Sequence, residues 1–379
     1  MTNDQRPLEG ISFVVPIRNG VRLIGDTLGA IAAQADDRPL ELLVVDDGST
    51  DGSAELVVQL ARALDAAIPV RLLRCHGGGA AAAINAGIVA ARYPIVCQVD
   101  QDVRVQPEWM RTLAGALADP SIGAAQGWYA TDPRAPLSSR VMGLDLEQRY
   151  QAIAGDTDHV CTGNTAYRTE ALRRVGLFDE SMGYGYDNDM SYRLRGAGYG
   201  LAICPGARAF HRWREGLFGY LAQQYGLGYG RLDVVARHRR RLTGDRVSPL
   251  PMMAHPIVML LAVTLFAASA AAAAVDLPGR ALFAMGAALV SLLALERLRA
   301  GSRAVRQFGD RAAWLFPIFH LLRDLAWVAA MLVWTIRRAG RRPGRPSHSM
   351  LPRPTAPAIE PGRGYPRRAW SRGSPLQID

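Results

Sequence analysis

Residues 40–53 read Leu-Glu-Leu-Leu-Val-Val-Asp-Asp-Gly-Ser-Thr-Asp-Gly-Ser, an apolar run that passes directly into an acidic loop containing glycine. A second such run, Ile95–Val99, passes into Asp100-Gln101-Asp102. Short continuous runs of this kind predict strands that are buried on both faces. Helical spacing between the runs, as over Ala54–Leu64, predicts an α/β domain with a mixed, mainly parallel sheet. Ligands of such sheets bind beyond the carboxyl ends of the strands, where both acidic clusters fall.

Charge and cysteine usage exclude several classes of protein. The 379 residues carry a formal net charge of +10. Ten arginines and two acidic residues lie from Arg337 onward, which places +8 of that charge in the tail and +2 in the rest, so no nucleic-acid partner is predicted. The four cysteines form no CxxC pair, so neither a zinc motif nor a disulfide framework is expected. No apolar stretch precedes the first strand, and we expect the N-terminal domain to stay in the cytoplasm.

The chain divides into four predicted parts. Residues 1–212 form the α/β domain and residues 213–250 an amphipathic region at the membrane interface. Residues 251–336 form a membrane region with two or three hydrophobic helices, and residues 337–379 a basic disordered tail rich in Pro, Gly and Arg. The interface region contains a stretch of helical spacing, 216–235, that ends in an arginine cluster. This pattern is typical of a membrane-surface helix, and a core helix with a basic end is the alternative.

The membrane region contains three apolar segments that differ in length and in the number of charged residues. Ile257–Val275 has 19 uncharged residues, a spanning length, whereas Ala281–Leu295 has only 15. Trp314–Ile336 contains His320, Arg323 and Asp324, which are costly in a bilayer unless paired. Five arginines between 297 and 311 predict a cytoplasmic loop before this segment. A third full span would carry the basic tail across the membrane, so we favour a re-entrant or interfacial third segment.

Two acidic clusters carry the predicted chemistry. Asp100 and Asp102 follow a buried strand, and such a pair is suited to hold a divalent cation against a diphosphate. The alternative is a solvated turn or a helix N-cap. Asp46 and Asp47 are placed to accept hydrogen bonds from a nucleobase or a ribose, and Gly48 lets the backbone approach a ligand. The alternative there is an Asx turn followed by a helix N-cap.

Taken in order, these features resemble the family-2 glycosyltransferases of the GT-A fold. The resemblance is carried by motifs that recur in the same order in that family. They are Val14-Val-Pro-Ile-Arg-Asn19, Val44-Val-Asp-Asp-Gly-Ser-Thr-Asp-Gly52, Ala83-Ile-Asn-Ala-Gly87, Gln98-Val-Asp-Gln-Asp102, Thr162-Gly-Asn-Thr-Ala-Tyr-Arg168 with Glu170-Ala-Leu172, Gly176-Leu-Phe-Asp-Glu180, Asp187-Asn-Asp-Met-Ser-Tyr-Arg193, and Gln223-Gln-Tyr with Gly228-Tyr-Gly-Arg231. The last of these, followed by basic residues and hydrophobic helices, is similar to membrane-anchored exopolysaccharide glycosyltransferases of the succinoglycan type.

The resemblance implies an enzyme and a role for each candidate residue. Donor contacts with a nucleoside diphosphate sugar would come from Asp46, Asp47, Arg18, Asn85 and Asp100. Mg²⁺ or Mn²⁺ would be held by Asp102, Asp100 and His211. Asp187 would be the general base that activates a hydroxyl of a lipid-linked or glycan acceptor, with inversion at the anomeric carbon. The enzyme would sit at the inner membrane with its catalytic domain in the cytoplasm.

Structural roles remain open for some of these residues. Asp187 in its sequence context is also a candidate helix N-cap, and His211 at a strand end is also a candidate structural histidine. Asp189 is expected to orient the site or cap the helix. Arg193 is expected to pair with Asp189, one helical turn away.

The sequence departs from the family pattern in three places. Tyr186 stands where the family has an acidic residue, and the segment 77–83 lacks a basic residue that Arg18, Arg71 or Arg74 would have to replace. The Gln-x-x-Arg-Trp motif of processive synthases is absent, which favours transfer of a single sugar. A nucleotidyltransferase and a membrane-tethered, non-catalytic GT-A-like binding or scaffold protein are the alternatives.

Overall fold

The computed structural model describes residues 10–34, 36–64, 66–151, 153, 155–214, 216–340 and 377–378. Within these residues ten strands form one mixed sheet in the order β10-β3-β2-β1-β4-β8-β6-β9-β5, and β7 pairs with β9. The strands are β1 (Ile11–Ile17), β2 (Leu40–Asp46), β3 (Val70–Arg74), β4 (Ile95–Val99), β5 (Val103–Val105), β6 (Ile122–Ala130), β7 (Gly155–Asp156), β8 (Asn164–Arg168), β9 (Gly200–His211) and β10 (Gln377–Ile378). The helices are α1 (Ile24–Ala32), α2 (Ser53–Leu64), α3 (Ala80–Ala90), α4 (Trp109–Ala116), α5 (Leu137–Tyr150), α6 (Thr169–Arg174), α7 (Tyr186–Gly196), α8 (Leu217–Arg237), α9 (Leu250–Ala273), α10 (Arg280–Phe308) and α11 (Phe316–Ala339).

The first half of the sheet is parallel, as the apolar strand runs predict. β1 pairs in parallel with β2 and β4, and β2 pairs in parallel with β3. Alternate residues of β1 enter two different cores, because Phe13 packs with the side of the sheet covered by α1 and α2 and Val14 with the side covered by α3. The acidic ends of β2 and β4 therefore reach the same edge of the sheet.

The second half of the sheet is largely antiparallel and completes that edge. β8 inserts between β4 and β6 and is antiparallel to both. The short strand β5 pairs with the end of β9, where Val103 faces His211. This pairing brings His211 next to Asp102, which lies more than 100 residues away in sequence. Strands of two or three residues, such as β5 and β7, carry too few side chains to show a period in the sequence.

The membrane region contains three helices that are long and apolar enough to cross a bilayer. The second of them, α10, corrects a prediction: it continues through four of the five arginines that we had assigned to a loop and ends only at Phe308. Ala, Leu, Glu and Arg all favour helix, and no proline interrupts this stretch, so nothing stops the helix where its apolar part ends. The helix ends where Gly309 adopts a left-handed conformation with φ of 71°.

Helix α8 packs between the sheet domain and the third membrane helix, α11. Its glycines allow close packing on two sides: a Cβ at Gly226 or Gly230 would overlap Tyr184, and a Cβ at Gly228 would lie 2.9 Å from the Trp327 ring. The exposed face of α8 carries Phe218, which is 87% exposed. Both the predicted amphipathic helix and its apolar outer face are therefore present.

Candidate active site

A large cavity lies at the carboxyl ends of β1, β2 and β4. It has a volume of about 720 Å³, which suits a small-molecule ligand. Acidic groups enter it from three separate stretches of chain: Asp47, the pair Asp100 and Asp102, and Glu180. Two guanidinium groups, those of Arg18 and Arg214, also line it. The cavity therefore offers both cations for phosphate groups and carboxylates for a metal ion or for hydroxyl groups.

A glycine loop forms one wall of this cavity and is held by Asp47. The Asp47 carboxylate accepts hydrogen bonds from the backbone N–H groups of Gly78 at 2.8 Å and Gly79 at 3.0 Å. Arg18 Nη1 lies 3.4 Å from the same carboxylate. Burial raises the pKa of Asp47, and the two N–H groups and Arg18 act against that shift. Asp47 thus positions the loop as well as lining the cavity.

Two residues predicted as donor contacts make hydrogen bonds within the protein. Asp46 accepts a hydrogen bond from the backbone N–H of Ser49 at 3.0 Å and is not among the described residues that line the cavity. Asn85 is buried, donates to Phe178 O and to Glu180 Oε1, each at 2.9 Å, and accepts from Phe178 N–H. Its hydrogen bonds stay within the protein, so Asn85 positions Glu180 rather than facing a ligand.

The structure brings Asp100, Asp102 and His211 together. Their potential ligand atoms all lie within 4.8 Å of one another, and His211 Nε2 is 3.5 Å from Asp102 Oδ1. Burial and the neighbouring Asp102 raise the pKa of Asp100 to about 7, since two close carboxylates resist ionising together. The buried Nδ1 of His211 has no hydrogen-bond partner among the described residues. Two carboxylates and an imidazole are a donor set that fits a divalent cation.

The Gln98 side chain holds the Asp100 carboxylate, and the backbone at Gly163 holds the Asp100 main chain. Gln98 Nε2 donates to Asp100 Oδ1 at 2.8 Å, and the Asp100 backbone N–H donates to Gly163 O at 3.2 Å. A Cβ at position 163 would overlap Asp100 Oδ2, so only glycine allows β8 to approach this carboxylate. This explains the glycine in the Thr162-Gly-Asn-Thr motif.

A second cavity adjoins the first and contains Asp187. It has a volume of about 270 Å³ and lies between the sheet domain, α8 and α11. The segment 184–188 separates the two cavities: Tyr184 and Tyr186 line the first, whereas Asp187 and Asn188 line the second. Asp187 lies in the first turn of α7 and accepts a hydrogen bond from the Asn188 backbone N–H at 2.9 Å.

A buried charge cluster lies beside Asp187. His159 Nδ1 is 3.3 Å from Asp245 Oδ1, and Arg231 Nη1 donates to Asp245 Oδ2 at 3.1 Å. Burial alone would lower the pKa of His159, but Asp245 raises it to about 10. Burial raises the pKa of Asp187, and the charges of His159 and Arg231 partly offset that rise. A carboxylate whose pKa is raised above its usual value is suited to act as a general base.

The predicted partner of Asp189 is confirmed. Arg193 Nε donates to Asp189 Oδ2 at 2.8 Å, and His238 Nε2 lies 2.8 Å from Asp189 Oδ1. These contacts join α7 to the end of α8. Asp189 is thereby bound on both of its oxygens and holds the helix that carries Asp187.

Some lining residues had no signal in the sequence patterns. Arg214 supplies positive charge that we had sought in Arg18, Arg71 or Arg74; of those three, only Arg18 lines the cavity, and Arg71 pairs with Glu41 at 3.3 Å. Glu180 lies within the Gly176–Glu180 motif. The motif identifies this segment of the chain, but it does not predict that the Glu180 carboxylate points into the cavity. The four cysteines are all free.

Comparison with known proteins gives the family. Residues 12–176 match the family model "Glycosyl transferase family 2", and residues 95–337, well over half of the chain, match "Glycosyl transferase family group 2". The chain belongs to glycosyltransferase family 2. The resemblance read from the motifs is therefore confirmed, and the second match extends through the membrane helices of this family member.

Two curated relatives of this family-2 chain are 29% identical to it. The pre-mycofactocin glycosyltransferase of Mycobacterium tuberculosis aligns over 251 residues, which is 63% of this chain and 49% of that protein. The poly-beta-1,6-N-acetyl-D-glucosamine synthase of Staphylococcus aureus aligns over 243 residues, 61% of this chain and 56% of that protein. The chain spans about half the length of the curated relatives that it matches.

A solved structure shares the fold. The mannosyltransferase from Pyrobaculum calidifontis, solved in complex with GDP-Man and Mn²⁺, superposes with a TM-score of 0.51 at 21% identity. The match covers 85% of this chain and 87% of that chain. The predicted class, a GT-A α/β domain followed by apolar helices, is confirmed.

Proposed function

We propose that this family-2 member transfers one sugar from a nucleoside diphosphate sugar to a hydroxyl group of a membrane-associated acceptor, with inversion at the anomeric carbon. One observation carries the proposal. Asp100 and Asp102 line one cavity with His211 beside them, Asp187 lines a second cavity, and residues of the segment 184–188 line both. Donor and acceptor would meet at this boundary.

In the donor cavity the chain's own groups bind and orient the nucleotide sugar. Arg18 and Arg214 supply positive charge for the diphosphate, and Asp47 holds the glycine loop close to the ligand. A divalent cation held by Asp100, Asp102 and His211 would offset the charge of the leaving diphosphate. The pair of carboxylates and the unpartnered His211 nitrogen support that site, and the solved mannosyltransferase contains Mn²⁺.

In the second cavity Asp187 acts on the acceptor. Its carboxylate takes the proton from the acceptor hydroxyl as the oxygen attacks the anomeric carbon. Asp187 lines the second cavity and the acidic pair lines the first, so the acceptor oxygen would attack from the side away from the diphosphate, and the configuration would invert. His159 and Arg231 stabilise Asp187 as an anion before the proton is transferred.

Donor turnover tests the proposal. The full chain in phosphatidylcholine nanodiscs is incubated with UDP-, GDP- and dTDP-sugars, Mn²⁺ and a bacterial lipid extract, and released nucleoside diphosphate is measured. We expect release with at least one donor, together with an extract component whose mass rises by one sugar residue. Release with none of the donors would contradict the proposal.

The membrane arrangement is part of the proposal. Of the most apolar stretch in each long helix, 39% is buried for the third helix against 17% and 11% for the first two. Helix α11 lies along α8, since Tyr220 OH donates to Phe319 O and Trp334 Nε1 donates to Asp233 Oδ1, both at 2.8 Å. These contacts support two crossings by α9 and α10, with α11 held against the catalytic domain.

This topology predicts the side on which the tail lies. Green fluorescent protein fused after Asp379 is expected to fluoresce in a bacterial host, because α9 and α10 return the chain to the cytoplasm. A fusion after Leu277, in the turn between α9 and α10, is the matched control and is expected to be dark, whereas alkaline phosphatase at that site is active. A dark Asp379 fusion with active phosphatase there would instead indicate three crossings.

A further inference from the structure

We propose that the cavity containing Asp187 is a binding chamber for the neutral sugar headgroup of a membrane lipid, and that α8 and α11 form its recognition surface. This inference rests on the proposed function, since it names the acceptor that the site would use. The chamber is bounded by the catalytic domain on one side and by α8 and α11 on the other. Its four recognition groups are Asn188, Gln223, His320 and Trp327.

Each recognition group carries a buried polar atom without a partner among the described residues. The atoms are Asn188 Nδ2, Gln223 Oε1, His320 Nδ1 and Trp327 Nε1. The side chains of His320 and Trp327 are themselves buried, at 4% and 8% exposure. An unpaired buried polar atom costs folding free energy, and folded proteins pair nearly all of them. The four side chains that carry these atoms line one cavity, so a ligand bound there is placed to supply their partners.

The chemistry of these four atoms selects the ligand. Asn188 Nδ2 and Trp327 Nε1 are donors, whereas Gln223 Oε1 is an acceptor. His320 Nε2 lies 3.0 Å from Asp145 Oδ1, which fixes the proton on Nε2 and leaves Nδ1 as an acceptor. Sugar hydroxyl groups both donate and accept, so they satisfy this mixed set. A phosphate offers acceptor oxygens and leaves the two acceptors of the chamber unpaired.

The charges in the chamber also disfavour an anionic ligand. Its three arginines and His159 each lie against a carboxylate: Arg149 lies 3.1 Å from Asp145, Arg323 lies 2.8 Å from Asp324, and Arg231 and His159 share Asp245 at 3.1 and 3.3 Å. Guanidinium groups with a carboxylate already in place attract a phosphate only weakly. A neutral headgroup therefore fits better than a lipid phosphate.

The apolar walls and the volume complete the match. Tyr220, Trp213, Phe319 and the Trp327 ring offer flat apolar surfaces to the faces of a sugar ring. The volume of about 270 Å³ is close to the lower limit of small-molecule pockets, roughly 300 Å³, so one ring is accommodated. The lipid chains would extend along α8 and α11, where Leu227 and Phe319 line the cavity.

Alkyl glycosides test the chamber directly. The full chain, held in amphipol, is titrated with octyl β-glucoside, octyl β-galactoside and octyl α-mannoside below their critical micelle concentrations. Binding is followed by saturation-transfer NMR on the ring protons, with empty amphipol as the blank. We expect saturable binding of at least one glycoside. Citronellyl phosphate, a soluble lipid phosphate, is titrated in parallel and is not expected to bind at this site.

Two variants and one matched control assign that binding to the chamber. Gln223→Leu removes one acceptor and Trp327→Phe removes one donor, and each is expected to raise the glycoside dissociation constant about tenfold. Trp334→Phe removes an indole N–H from the same helix outside the chamber, where it contacts Asp233, and is expected to leave glycoside binding unchanged. Melting curves of all three confirm that they fold.

Several results would overturn the inference. They are saturable binding of none of the glycosides, an equal loss in Trp334→Phe, or citronellyl phosphate binding that the two chamber variants weaken. A Mn²⁺–nucleotide sugar titration on the same preparation reports the donor cavity separately. If no nucleotide sugar binds while the glycosides do, the result contradicts the proposed function but still supports the binding chamber.

Discussion

Asp187→Asn is expected to lower the rate of sugar transfer about a thousandfold while the affinity for the nucleotide sugar stays unchanged. The substitution keeps the size and the hydrogen bond from Asn188 N–H but removes the group that accepts the acceptor proton. Donor binding is retained because Asp187 lines the second cavity and is not among the described residues of the first. Turnover with the donor found in the screen, and calorimetry with the same donor, measure the two effects.

Asp189→Asn is the matched control for that variant. It makes the same chemical change two residues further along α7, at a carboxylate that contacts Arg193 and His238. We expect it to lower the melting temperature and to leave most of the turnover. Turnover of Asp187→Asn within tenfold of the wild type would show that Asp187 is not the general base.

The pH dependence gives a second test of the same residue. Burial raises the pKa of Asp187, so turnover is expected to fall with decreasing pH at a higher pH than an exposed aspartate would give. The fall occurs as the carboxylate becomes protonated and can no longer accept the acceptor proton.

Asp102→Asn is expected to lower Mn²⁺-dependent turnover by about 100-fold or more. Asp102 is the member of the acidic pair that lies against His211, at 3.5 Å, and its loss leaves one carboxylate and one imidazole for the cation. The remaining Asp100 is then the single carboxylate of the cluster. Turnover measured against Mn²⁺ concentration is expected to show both a lower maximum and a weaker apparent affinity for the metal.

Asp132→Asn serves as the control for this second variant. Asp132 pairs with Arg104 at 3.4 Å on the surface and is not among the described residues of either cavity. We expect its turnover and its Mn²⁺ dependence to match the wild type. Equal Mn²⁺ dependence in Asp102→Asn and the wild type would show that the acidic pair does not bind the metal.

Local pattern predicted the parallel half of the fold because each strand there is a short, continuous apolar run. β4 was predicted with its observed ends, and β2 to within one residue. The antiparallel half was harder to predict, since β5 and β7 are stabilised by their partners on β9 rather than by any pattern of their own. Helix α10 extends beyond its apolar stretch for a different reason: hydropathy indicates where a membrane span ends, whereas helix propensity indicates where a helix ends.

The site could be predicted where a motif fixes a residue's position, but the direction of a side chain depends on its neighbours. Asp100, Asp102 and His211 were predicted as one group and lie together. Asp46 and Asn85 were predicted as donor contacts, yet their hydrogen bonds hold the turn at Ser49 and the segment at Phe178. No sequence pattern indicated the chamber, because its walls come from helices that meet only in the folded chain.

The central claim is that the acidic pair binds the donor diphosphate through a divalent cation. The most direct test titrates the nucleotide sugar into the reconstituted chain by calorimetry, once with Mn²⁺ and once with EDTA. We predict at least about tenfold tighter binding with Mn²⁺ in the wild type, and no such difference in Asp102→Asn. Equal affinity in Mn²⁺ and in EDTA for the wild type would contradict the claim.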